Sequence, residues 1–74
     1  MKNIHQAVKN IHQVAARVGL IAENAHDFGR AHVMEDELYR AVLEAIADGV
    51  AKDPAEWARR ALMSQKLEFN RVCA

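Results

Sequence analysis

Hydrophobic side chains recur at a seven-residue step along the first third of the chain. Ile4, Ile11, Val18 and Ala25 form one row, and Ala7, Val14, Ile21 and Phe28 form its companion. The step is written into a near-duplicate, Lys2-Asn3-Ile4-His5-Gln6-Ala7-Val8 followed by Lys9-Asn10-Ile11-His12-Gln13-Val14-Ala15. Seven residues are almost two helical turns, so both rows return to one face of a helix. The pattern predicts a first helix over 3–27, stopped by Gly29. Its seam of Ile4, Ile11, Val14, Val18, Ile21 and Phe28 needs another helix to cover it.

Two shorter helices are predicted after this one. The second spans 34–48, with Glu35, Asp36 and Glu37 on its first turn, Leu38, Val42 and Ile46 along its face with Tyr39 and Leu43 beside them, and Gly49 at its end. The third spans 54–66 and has the clearest start: Asp53 as N-cap, Pro54 at the first helical position and Glu56 completing a capping-box variant. Trp57, Ala58, Ala61 and Leu62 point inward from it. Residues 67–74 form a tail in which Leu67, Phe69 and Val72 can dock. The chain therefore reads as one all-α domain over 1–74.

Length sharpens the picture. A 74-residue chain buries only about 60 to 65% of the surface that it exposes when unfolded. A first helix of about 37 Å is longer than either of the others, at about 24 and 18 Å. Either the two short helices lie end to end along it, or two chains pair through the heptad seam. The tandem heptad favours the pair, so the expectation is a helical bundle completed by homodimerisation. A monomeric three-helix bundle is the alternative, since Ala7 and Ala25 are weak seam residues and Gly19 costs about 1 kcal/mol inside a helix.

Charge is balanced overall, with ten basic and ten acidic residues, but unevenly distributed. Residues 1–32 carry four basic and two acidic groups, 33–57 carry two and seven, and 58–74 carry four and one. This favours pairing between segments or chains over binding to a uniform polyanion. No secretory leader is recognisable in 1–13, and the longest apolar run, 18–22, is far too short to cross a bilayer. A cytoplasmic protein without membrane contact is expected. Cys73 is the single cysteine and can close no intrachain disulfide.

Little in the sequence speaks for chemistry. A nucleophile elbow, a phosphate loop and paired catalytic carboxylates are all missing, so no enzyme, cofactor or metal site is expected. His5 and His12 share a face but lie about 10 Å apart, too far for one zinc ion. His26 and His32 bracket Gly29, and His32 with Asp36 has ligand spacing if the second helix starts early, but there is no Cys partner and no familiar metal-site spacing. The stretch Val14-Ala15-Ala16-Arg17-Val18-Gly19-Leu20, followed by Ala25 and Phe28, resembles a helix-turn-helix DNA-binding unit turning at Gly19, with 22–29 as its recognition helix. Glu23 and Asp27 would then face phosphates, an electrostatically adverse arrangement, so nucleic acid is not the expected partner and a transcriptional regulator is the second reading. The expected partner surface is the acidic face of the second helix, Glu37, Glu44 and Asp48, with Trp57 either in the core or an interface anchor.

Met34-Glu35-Asp36-Glu37-Leu38-Tyr39-Arg40-Ala41-Val42-Leu43-Glu44-Ala45-Ile46-Ala47-Asp48-Gly49, Asp53-Pro54-Ala55-Glu56-Trp57-Ala58-Arg59-Arg60-Ala61-Leu62 and the ending Phe69-Asn70-Arg71-Val72-Cys73-Ala74 resemble small early-region proteins of lambdoid bacteriophages and prophages. The resemblance implies a compact, non-enzymatic modulator of the infected host or of phage development, acting on a host or phage protein. The group has no motif that assigns a function to a residue, so none is carried over.

Overall fold

The computed structural model describes residues 7–69 and 71. They form three α-helices, α1 (Ile11–Glu23), α2 (Phe28–Ala47) and α3 (Pro54–Leu62), followed by one turn of 3-10 helix over Met63–Lys66. No strand occurs among the described residues. The fold is all-α.

Capping explains the start of each α-helix and the ends of α1 and α2. Asn10 is extended, at φ −153° and ψ 166°, and its side chain accepts the Gln13 N–H at 3.0 Å. Gln13 reaches back with Oε1 to accept the Lys9 N–H at 2.6 Å, so the second heptad copy makes a reciprocal cap like a capping box. The predicted first helix over 3–27 is thereby corrected: α1 begins at Ile11, residues 7–10 are not helical, and 1–6 lie outside the described residues. At the other end Asn24 closes α1, donating its backbone N–H and its side-chain amide to the Leu20 carbonyl at 3.2 and 2.8 Å.

Asp27 then starts α2 by accepting the Arg30 N–H at 3.2 Å. Phe28 and Gly29 thus sit in the first turn of α2 rather than at the end of α1, and the second helix starts six residues before the predicted 34. Its end agrees with expectation. Gly49 alone among the described residues takes a positive φ, 75°. Around it the Val50 N–H reaches the Ala45 carbonyl at 2.9 Å and the Gly49 N–H reaches Ile46 at 3.2 Å, a Schellman closure. Asp53 and Pro54 open α3 as expected, with the Asp53 carboxylate accepting the Glu56 N–H at 3.3 Å.

Both α1 and α3 pack on α2 and on each other. A four-residue turn, 24–27, joins α1 to α2. Ser64, after α3, returns to Glu35 and Tyr39 near the middle of α2, so α3 runs back along α2. The core comprises Val8, Val14, Ile21, Ala31, Leu38, Ala41, Val42, Ala45, Ala51, Trp57 and Ala61. Four alanines on facing helices let the backbones approach closely.

They also move the buried stripe of α2 away from its larger residues. Leu43, expected beside the core, is 66% exposed, and Leu62, expected to point inward from α3, is 54% exposed. Trp57 is a core residue at 5% exposure.

Candidate functional site

The most organised polar group in the molecule lies where α2, the 3-10 turn and the tail meet. Glu35 sits on the buried stripe of α2, four residues after Ala31 and three before Leu38, and is only 2% exposed. A carboxylate in that position requires donors, since a buried unpaired charge is strongly disfavoured. It has several. Arg71 donates from Nε to Oε1 at 2.9 Å and from Nη2 to Oε2 at 3.1 Å, the paired geometry that suits a guanidinium and a carboxylate. Ser64 donates its hydroxyl to Oε2 at 2.6 Å, and the Tyr39 hydroxyl reaches the same oxygen at 3.3 Å.

The two hydroxyls also hydrogen-bond each other, and Gln65 Nε2 donates to Tyr39 at 3.0 Å. Arg71 uses Nη2 again on the Ser64 and Leu67 carbonyls, at 2.9 and 3.2 Å. Its guanidinium lies 3.9 Å from the centre of the Phe69 ring, a cation–π stack that covers one side of the ion pair.

Burial alone would push the Glu35 carboxyl up. The hydrogen bonds from Arg71 and Ser64 and the positive charge of Arg71 outweigh it, and the group is held below the ordinary glutamate range. Glu35 in turn pushes the Arg71 guanidinium upward. The pair is therefore fully ionised at neutral pH.

Chemically the cluster is a fastening. Ser64 is completely buried and its hydroxyl is spent on Glu35, with no histidine in hydrogen-bond contact among the described residues. What it does is tie the tail at Arg71 to α2, across 36 residues of sequence. Reading the sequence assigned Glu35 to a charged helix start and gave Arg71 no role. An acidic residue in register with Ala31, Leu38 and Val42 was the signal that could have found it.

The predicted seam is distributed differently. Val14 and Ile21 are fully covered within the single chain, at 0% and 1% exposure, while Ile11 and Val18 are half-buried against the same core. Phe28 is 44% exposed on α2. The seam therefore breaks at the 24–27 turn, and Ile4 lies outside the described residues. Glu37, Glu44 and Asp48 share the outward side of α2, seven and four residues apart, but Trp57 is buried on α3 and does not join them.

Gly19 lies inside α1 with nothing within 4 Å of where a Cβ would stand. The turn required by a helix-turn-helix at this glycine is not there, and 22–29 is the end of α1, the 24–27 turn and the start of α2 rather than one recognition helix. Because α2 starts early, His32 and Asp36 do meet, with Nε2 3.5 Å from Oδ2, while His32 Nδ1 has no hydrogen-bond partner among the described residues. Among the described residues, no three His, Cys, Asp or Glu side chains are grouped to hold a metal ion, and no helix is long and apolar enough to cross a membrane.

The other feature of note is apolar. Leu20, Phe28, Val33, Leu43, Val50, Leu62 and Met63 are each between 44% and 66% exposed. An open groove of about 460 Å³ lies between the starts of α1 and α3, floored by Ile11, Val50 and Trp57. No protein-family model matches the chain, and no curated protein or solved structure matches it.

Proposed function

We propose that this chain is a non-enzymatic helical protein–protein interaction module, encoded by a phage or prophage and acting in the host cytoplasm on host or phage development. The observation that carries the interaction reading is the apolar surface. Among the described residues of this 74-residue chain, seven large hydrophobic side chains remain 44–66% exposed, and exposed apolar surface supports a contact role where such side chains adjoin. The one elaborate polar cluster is spent internally on the tail, which leaves surface shape and charge as the functional elements. The phage assignment rests on the sequence resemblance of residues 34–62 and 69–74.

Self-association belongs to this proposal. Val14 and Ile21 are occupied inside the chain, so a second copy has to use the exposed residues, with Ile11 and Val18 at the margin. Sedimentation equilibrium of the full chain tests it, and a species that stays monomeric at high micromolar concentration removes self-association. Capture from a bacterial host lysate, followed by mass spectrometry, tests the wider reading. A protein retained by the wild type and lost with Leu43→Glu supports it, because Leu43 is too exposed for the substitution to unfold the chain. Retention of duplex DNA with a steep salt dependence would replace it with a nucleic-acid function.

A further inference from the structure

The groove between α1 and α3 has a chemical bias that its apolar floor does not show. Its rim carries Lys9 and Lys52 on one hand and Asp53 and Glu56 on the other. The two acids are already engaged. Asp53 accepts the Glu56 backbone N–H as the cap of α3, and the Glu56 carboxylate takes Arg59 Nη2 at 3.1 Å and Arg60 Nε at 2.9 Å. Those two hydrogen bonds from Arg60 and Arg59 hold Glu56 below the ordinary glutamate range.

Neither lysine has an ion-pair partner among the described residues, and both are exposed. Lys9, Lys52 and the two arginines held on Glu56 outnumber the two carboxylates, so the net charge around Ile11, Val50 and Trp57 is positive. Val50, at 44% exposure, offers apolar surface to the groove, and the buried Trp57 also lines it.

We propose that this groove docks an acidic amphipathic segment of a partner protein, one bulky apolar side chain entering between Ile11 and Val50 and flanking carboxylates meeting Lys9 and Lys52. The proposal rests on the interaction-module reading and names its site. Helix-in-groove recognition supplies the physical pattern: an apolar anchor gives affinity and rim charges give orientation and selectivity. The pairing of Glu56 with Arg59 and Arg60 matters here, because a free carboxylate on the rim would repel such a segment, and only Asp53 keeps an unpaired negative charge there.

The test uses the full chain, isotopically labelled, and a synthetic capped helical peptide of Glu and Ala with one central Leu. Saturable amide shifts confined to Lys9, Ile11, Val50 and Lys52, with a shift of the Trp57 indole, are expected. Lys52→Glu, at an exposed loop position, should weaken the binding about fivefold or more. Replacing the peptide's Leu by Ala should weaken it further, and replacing its Glu by Lys should abolish it.

Absence of shifts at millimolar peptide, shifts centred on another face, or equal binding of the Lys peptide overturns the proposal. Concentration-dependent shifts at the same residues without any peptide also overturn it, by assigning the groove to a second copy. If the peptide fails while a captured host protein is still lost with Leu43→Glu, the groove is wrong and the module reading stands.

Discussion

Removing Arg71 should destabilise this protein far more than its place near the end of the chain suggests. Arg71→Ala leaves Glu35, 3% exposed at its side chain, without its only counter-charge among the described residues. Breaking a fully buried ion pair from one side costs about 3 to 5 kcal/mol. Two features reduce that figure: the Arg71 side chain is 29% exposed, so water follows it in, and Ser64 and Tyr39 continue to donate to the carboxylate. About 2 to 3 kcal/mol is the expected loss. A domain of this size holds on the order of 4 to 11 kcal/mol in total, so the change is large. Urea denaturation of wild type, Arg71→Ala, Glu35→Gln and the double variant gives the coupling energy directly.

Acidification provides a second measurement on the same pair. Glu35 is depressed in the folded state, so its stabilising contribution is complete above the unfolded pKa, about 4.3, and is lost as pH falls through the lower folded value. Wild type should lose stability on acidification below about pH 5 with a steeper limb than Glu35→Gln. An Arg71→Ala loss below about 0.5 kcal/mol, with additive single effects and parallel acid limbs, would refute the account of the cluster as the tail's fastening.

Three further outcomes follow from the helix ends and interior. Gly19→Ala should stabilise the chain by about 0.5 to 1 kcal/mol, because the position is helical, exposed and open, and a lower Tm would revive a turn at this residue. Asn10→Ala should cost about 0.5 to 2 kcal/mol in chemical denaturation by removing the cap of α1, and no effect would return the helix start to the first heptad copy. Trp57→Ala should cost about 3 to 5 kcal/mol and threaten folding altogether, so a variant with unchanged melting would place the ring at the surface.

The parts of the fold legible in the sequence are those encoded by strong local punctuation. Asp53-Pro54 and Gly49 set the beginning of α3 and the end of α2 through cap geometry, which neighbouring residues alone determine. The first helix was misread because a repeat suggests continuity. Asn10 and Gln13 are helix-compatible residues in a heptad, yet at three-residue spacing they also make a cap, and the cap prevails. Asn24 and Asp27 did the same at the next junction, against a row that ran on to Phe28. The Glu35–Arg71 pair joins residues 36 apart, and no local pattern announces such a contact.

The distribution of polar and apolar groups has a consequence for how this molecule can act. In a chain this small, committing a buried ion pair, two hydroxyls and a stacked Phe69 to one corner fixes the tail but adds little net stability, since desolvation offsets much of the attraction. Such a cluster specifies one arrangement of the chain end. At the same time Leu43, Leu62 and Val33 stay in water, although burying them would help a marginal core. A fold selected for stability alone would reverse both choices. On the proposed interaction reading, Leu43, Leu62 and Val33 are side chains available for contact, and a chain end fastened in one arrangement lowers the ordering entropy lost when they are covered.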